Sequence, residues 1–233
     1  MNKKIAITGA TKGIGKAIAQ KFATEGWDLA LCARNENDLL RLKSELHSPK
    51  IEILTQTCDV GKKEEVKLLA DKILAQLGRV DVIINNAGIF IPGQVINEAE
   101  GTLEKLIETN LYSAYHFSRM LLPKMIQNKS GHIFNMCSVA SINAYPNGGS
   151  YSISKFAMLG LSKALREELK PHSIKVTSII PGATLTDSWS GTNLPESRFM
   201  KPEDIANAVW DIYHLSESTV VEEIVLRPVL GDL

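Results

Sequence analysis

A chain of 233 residues, 44% hydrophobic and 22% charged, is suited to one α/β domain with a large buried core. Its 26 basic residues balance 26 acidic ones, so no global field draws it to nucleic acid or to an anionic membrane. No apolar run approaches the roughly 18 residues of a membrane-spanning helix.

The first residues, MNKKIAITGATKG, set basic side chains before an apolar stretch, as a signal peptide does. Lys12 and the glycines cut that stretch short and no cleavage site follows, so a cytoplasmic protein is expected. Residues 3–7 with Thr8 read as a first strand and 13–25 as a helix, joined by TGATKGIG at 8–15. Gly9, Gly13 and Gly15 let the backbone turn tightly and approach a pyrophosphate, which the helix N-terminus attracts through its dipole and free N–H groups. A plain glycine-containing turn is the alternative for this motif taken alone.

A second strand at 28–33 ends in CARNEN. A site for NAD places a carboxylate at that end to hold the ribose 2′-OH; here Ala33 and Arg34 stand instead. An arginine fork suits the phosphate of NADP and a carboxylate would repel it, while Lys12 can add a second cation from the glycine turn. A helix at 36–47 and a strand at 51–57 follow. Asp59, just beyond, can accept from an adenine amino group or cap the helix read at 62–77.

Strand 80–85 runs into NNAG at 85–88, helix 102–128 carries Asn110, and strand 132–137 runs into Ser138. Helix 151–170 opens on YSISK, and strand 175–180 is followed by Pro181 and Gly182. The stretch 182–201 is long and rich in small polar residues, as a binding loop or lid is. A helix at 202–215 and a strand at 221–226 complete the chain. Alternation of this kind implies right-handed crossovers and a doubly wound parallel sheet of seven strands, covered by helices on both faces. Cys32, Cys58 and Cys137 are odd in number, widely spaced and beside strands. They read as small buried residues of a reducing compartment, and the histidines show no metal-ligand spacing.

Ligands of such sheets sit beyond the carboxyl ends of the strands, where Asn85–Gly88, Ser138 and Pro181–Gly182 all fall. Tyr151 and Lys155 are one helical turn apart and share a face. Reduction of a ketone by hydride leaves an alkoxide that needs a proton, which a tyrosine can donate. Half-ionising a phenol near neutral pH requires lowering its pKa by ~3 units, or about 4 kcal/mol. One positive charge at ~4 Å and an effective dielectric near 20 supplies about that amount, so Lys155 is expected to acidify Tyr151. Ser138 can hold the substrate oxygen.

TGATKGIG, CDV at 58–60, NNAG, Asn110 in ETNL, Ser138 in CSVAS, YSISK and PGATLT at 181–186 occur in that order. Together they resemble the short-chain dehydrogenase/reductase family from the first strand to the last. The resemblance implies a single Rossmann-type domain over 1–233 and NADP(H)-dependent transfer of a hydride between nicotinamide and a carbonyl or secondary alcohol. It implies catalytic roles for Asn110, Ser138, Tyr151 and Lys155, with Asn110 holding a relay water and Lys155 the nicotinamide ribose. Cofactor contacts are expected from Gly9, Thr11, Lys12, Gly13, Ile14 and Gly15, from Arg34, Asp59 and Val60, and from Asn86, Ala87 and Gly88. Tyr151 and Lys155 join them, with Pro181, Gly182, Thr184 and Thr186 bordering the nicotinamide.

Substrate contacts are expected from Ser138, Tyr145, Tyr151 and Trp189, the tryptophan either closing over a flat ring or stacking on the protein body. Asn143 and Asn147 are further candidates. Helices 102–128 and 151–170 carry apolar residues on more than one side, which suits pairing of subunits into a homodimer or homotetramer. The ending from 219 to 233 lacks the glycine-rich segment of many acyl-carrier-protein reductases. With KPEDIA at 201–206 it is similar to bacterial sepiapterin reductases and nearby small-carbonyl or hydroxy-acid dehydrogenases. A hydroxy-acid or 3-oxoacyl reductase of the same family, a nucleotide-sensing regulator without turnover and a purely structural oligomer are the alternatives.

Overall fold

Strands that are apolar almost throughout need cover on both faces, and a parallel sheet obtains it from the helices that connect its strands. The computed structural model describes residues 2–189 and 191–232 and has this arrangement. Its strands are β1 (Lys4–Thr8), β2 (Asp28–Ala33), β3 (Ile53–Thr57), β4 (Val82–Asn85), β5 (Gly131–Met136), β6 (Ile174–Pro181) and β7 (Glu223–Leu226). They form one seven-stranded sheet in the order β3-β2-β1-β4-β5-β6-β7, and every pair is parallel. The chain moves outward from β1 to β3, then returns to the middle for β4. The order therefore reverses between β1 and β4, where their carboxyl ends diverge into a crevice.

The helices are α1 (Gly13–Thr24), α2 (Glu36–Glu45), α3 (Lys63–Leu77), α4 (Thr102–Ile107), α5 (Ser113–Asn128), α6 (Gly149–Leu169) and α7 (Pro202–Tyr213). Their boundaries have local causes. Asn35 caps α2 by accepting from Asp38 N at 3.1 Å, Gly78 ends α3 at φ 72°, and Pro202 opens α7 ahead of Glu203 and Asp204. Alternate residues of each strand serve opposite faces. Ile5 and Ile7 pack with Phe22 of α1, Leu39 of α2 and Val209 of α7; Ala6 packs with Leu69 of α3, Phe117 of α5 and Leu165 of α6. Phe22, Phe117 and Phe134 are fully buried, each contributing about 2–3 kcal/mol by leaving water.

Two expectations of the sequence are revised. The helix read as continuous over 102–128 is interrupted by a π turn, Glu108–Tyr112, between α4 and α5. Helix α6 begins at Gly149, which makes Tyr151 its third residue rather than its first. Within 182–201, a Thr184–Met200 bridge and two short 3-10 turns, Asp187–Trp189 and Glu196–Arg198, shape the loop. All three cysteines are free and buried. No helix among the described residues is long and apolar enough to cross a membrane. Nor, among them, do three or more His, Cys, Asp or Glu side chains gather where they could hold a metal ion.

Candidate active site

The crevice between β1 and β4 opens into a cleft of about 720 Å³ along the carboxyl edge of the sheet. Its floor is the glycine turn. Gly9 and Gly13 have φ of 66° and 50°, the left-handed region that side chains rarely tolerate. Gly15 has a different reason: a Cβ there would collide with the Gly9 carbonyl and lie 2.5 Å from Asn86 Nδ2. That amide donates to Thr8 O at 2.9 Å and Gly9 O at 3.0 Å. Thr8 Oγ1 in turn accepts from the backbone of Asn86 and Ala87, both at 3.1 Å. Threonine and asparagine thus lock the two strand ends together. No side chain caps α1 and its first turn holds no acid, so its leading N–H groups face the cleft as a ready anion site.

Lys12 and Arg34 both line this end of the cleft. Lys12 Nζ is already paired with Asp187 at 2.7 Å, which raises the lysine pKa and ties the glycine turn to the loop after β6. Ile14, Ala87, Gly88, Pro181, Gly182, Thr184 and Thr186 share the same wall. Thr11, Gly15, Asp59 and Val60 do not line it. Asp59 Oδ1 accepts from Gly61 N at 3.1 Å in a tight turn, and α3 is preceded by Lys62, so the aspartate is not its cap. Val60 is buried in the core.

Farther along the cleft Ser138, Tyr151 and Lys155 converge. Ser138 follows β5 and opens a 3-10 turn, Val139–Ser141. Its Oγ accepts from Ala140 N at 3.1 Å, while Ser141 Oγ accepts from Ser138 N at 3.1 Å. The Lys155 side chain is buried and Nζ donates to Met136 O at 2.9 Å, reaching within 5.8 Å of the Tyr151 ring centre. Burial holds the Lys155 pKa below its ordinary value. Burial also raises that of Tyr151, and a hydrogen bond with Ser138 only partly offsets it. Burial therefore opposes the expected acidification of Tyr151 by Lys155, because charging a desolvated phenol is costly.

Asn110 sits in the π turn, almost completely buried, and grips Ile89: Oδ1 accepts from Ile89 N at 2.8 Å and Nδ2 donates to Ile89 O at 3.0 Å. Nδ2 also donates to Ser154 Oγ at 3.0 Å, one residue before Lys155. Tyr145, Asn143 and Trp189 line the outer cleft; Asn147 does not. Trp189 also packs on Phe199 with ring centres 5.1 Å apart, so it is seated on the protein body while bordering the cleft. Burial pushes the Tyr145 phenol up to about 12.

Several lining residues carry no sequence signal. Phe90 stands edge-on to Tyr151 at 4.9 Å, and Cys137 lies near enough to Lys155 for the two to shift each other's titration. Asp232 reaches the wall from the far end of the chain, where a Cβ on Gly182 would come within 2.7 Å of Oδ1. The position of Phe90 just past NNAG is a clue only to its neighbourhood.

Known proteins resemble this chain in sequence and fold. A family model described as short chain dehydrogenase matches residues 3–196. A sepiapterin reductase of Chlorobaculum tepidum is 33% identical over 241 residues, covering 100% of this chain and 99% of the relative. A 3-oxoacyl-[acyl-carrier-protein] reductase of Staphylococcus epidermidis is 30% identical over 220 residues, with 90% of each chain covered. Among solved structures, an alcohol dehydrogenase from the archaeon Thermococcus sibiricus complexed with 5-hydroxy-NADP superposes with a TM-score of 0.93. It is 31% identical and covers 100% of this chain and 99% of its own.

Proposed function

The chain belongs to the short-chain dehydrogenase/reductase family, and we propose that it is an NADP(H)-dependent carbonyl reductase of sepiapterin-like or small-carbonyl specificity. The observation that carries the reading is the meeting of Ser138, Tyr151 and Lys155 in one cleft with an uncapped helix N-terminus and two cations. The residues fit the cofactor: open N–H groups on α1 and the glycines of left-handed backbone suit a pyrophosphate, and Arg34 with Lys12 suits a 2′-phosphate. When bound, NADPH supplies the hydride.

This chain's own residues handle the oxygen. Ser138 Oγ holds the substrate carbonyl oxygen beside the Tyr151 hydroxyl, which gives up its proton as negative charge develops there. The high pKa of Tyr151 keeps that proton in place at neutral pH, the state reduction requires. Lys155, fixed by the Met136 carbonyl, orients the pair and balances the tyrosinate that forms. Asn110, gripping Ile89 and Ser154, holds the neighbouring backbone still one residue before Lys155.

Phe90, Tyr145 and Trp189 offer aromatic walls to a flat substrate. A 3-oxoacyl substrate, supported by the Staphylococcus epidermidis relative, or a hydroxy acid is the second reading. Exposed Tyr112, Tyr115, Ile153 and Phe156 on α5, α6 and the π turn suit pairing into a homodimer or homotetramer. The buried free thiols suit the cytoplasm. The test is NADPH oxidation with sepiapterin, diketones and a carrier-linked ketoester, and NADP+ reduction with 3-hydroxy acids. Turnover is expected, falling roughly 10²- to 10⁴-fold in Tyr151→Phe. Tight NADPH binding with no turnover on any of these would instead support the sensor, and no binding at all the structural oligomer.

A further inference from the structure

We propose that Glu98 is a positioning residue for Tyr151: its carboxylate caps the helix that carries the tyrosine and straps the segment after β4 against it. The inference rests on Tyr151 being the acid/base group described above.

The leading N–H groups of a helix need acceptors, and the residue before α6, Gly148, has no side chain to provide one. Glu98 provides it from 52 positions away: Oε1 accepts from Ser150 N at 2.8 Å, and Oε2 accepts from the Ser150 hydroxyl. Two glycines make room for the carboxylate. A Cβ on Gly149 would collide with Oε1 and come within 2.8 Å of the Gly93 carbonyl oxygen, and one on Gly93 would lie 2.6 Å from Glu98 Cγ. Between these glycines the backbone bridges Gly93 to Gly148, and Gly93 N donates to Asn147 O at 3.0 Å. The same segment carries Phe90, whose ring meets Tyr151 edge-on. Tyr151 directly follows Ser150, so its backbone is fixed by the cap and its ring by the strapped loop. A reacting group displaced by about 1 Å can lose roughly 10²-fold in rate, so a cap at this point bears on turnover more than on folding.

Three single variants and one double variant test it by kinetics with NADPH and the best substrate of the panel, each checked for a cooperative urea transition. E98A is expected to lower kcat roughly 10-fold while leaving the NADPH Kd within about two-fold, because the nucleotide wall is built elsewhere. E98Q keeps an oxygen that accepts from Ser150 N and recovers most of the loss. G149A favours the helix itself but crowds both the carboxylate and the Gly93 carbonyl, so it should lose at least as much kcat as E98A, and the double variant should be no slower than G149A alone. If E98A does not fold, E98Q and G149A carry the same comparison. Parental kcat in E98A or in G149A, loss of kcat in step with NADPH affinity, or E98Q no better than E98A would each overturn the proposal. Full activity in Tyr151→Phe would remove the acid/base reading and this inference with it. An inactive Tyr151→Phe beside an unaffected E98A would overturn this inference alone.

Discussion

Arg34 and Lys12 stand at the same end of the cleft but differ in what they are free to do. Lys12 is held by Asp187 at 2.7 Å, while Arg34 makes no ion pair among the described residues. A phosphate approaching Lys12 must displace a carboxylate; one approaching Arg34 meets an open guanidinium fork. Arg34→Asp replaces that fork with a charge repelling a dianionic phosphate, and is expected to lower kcat/KM for NADPH roughly 100-fold while NADH gains. Lys12→Ala, having first lost Asp187 as a competitor, is expected to cost only about three- to five-fold, since an exposed cation contributes little. Steady-state kinetics with both cofactors checks this, and an Arg34→Asp enzyme that still prefers NADPH would sink the assignment. The absence of an acid at Ala33 and Arg34 is legible in the sequence; the competition is not, because Lys12 and Asp187 lie 175 positions apart.

At the scale of elements, strands and crossovers are legible because apolar runs of four to eight residues punctuated by glycine and polar turns admit few other folds. The Tyr151–Lys155 spacing is equally plain, since four residues make about one turn. The π turn is hidden for a related reason. Leu106, Asn110, Ala114 and Phe117 are all buried and follow an uninterrupted helical period, so the spacing reads straight through it. The irregularity at the turn is Asn110, an amide on a face that otherwise buries apolar side chains and small serines. Its two bonds to Ile89 and one to Ser154 fasten the segment after β4 to the π turn and α6. Asn110→Ala leaves the half-buried Ile89 N–H and C=O without their amide partner, at an expected cost of about 1–3 kcal/mol, since water in the cleft can replace only part of what is lost. Urea unfolding measures this; a loss below about 1 kcal/mol would mean that water replaces the amide freely. Ser154 Oγ keeps its own bond to Tyr151 O at 2.7 Å, so most of the damage should fall on the loop rather than on α6.

Across the whole molecule, β5 joins two unlike environments: Ser138 emerges from its carboxyl end into the cleft, while His132 is buried near its start. His132 Nε2 lies 2.7 Å from Thr177 Oγ1, whose own proton goes to Val221 O at 2.6 Å. The threonine oxygen must therefore accept, which places the imidazole proton on Nε2 and leaves Nδ1 without a partner. Protonating Nδ1 would bury a cation with nothing to receive it, so burial, aided by the charge of Lys175, pushes the His132 pKa down to about 3 from 6.5. Between those values the unfolded chain binds a proton that the folded chain refuses. The stabilisation is thus complete above pH 6.5 and lost as pH falls toward 3, at up to about 1.4 kcal/mol per pH unit. From pH 7.5 to 5 this one side chain should account for a loss of about 2 kcal/mol, before most carboxylates titrate. His132→Asn, neutral throughout, is expected to start less stable yet to lose about 2 kcal/mol less over that interval. Urea unfolding of both proteins at pH 7.5, 6 and 5 makes the comparison, and parallel losses would show that His132 takes up its proton without leaving the fold.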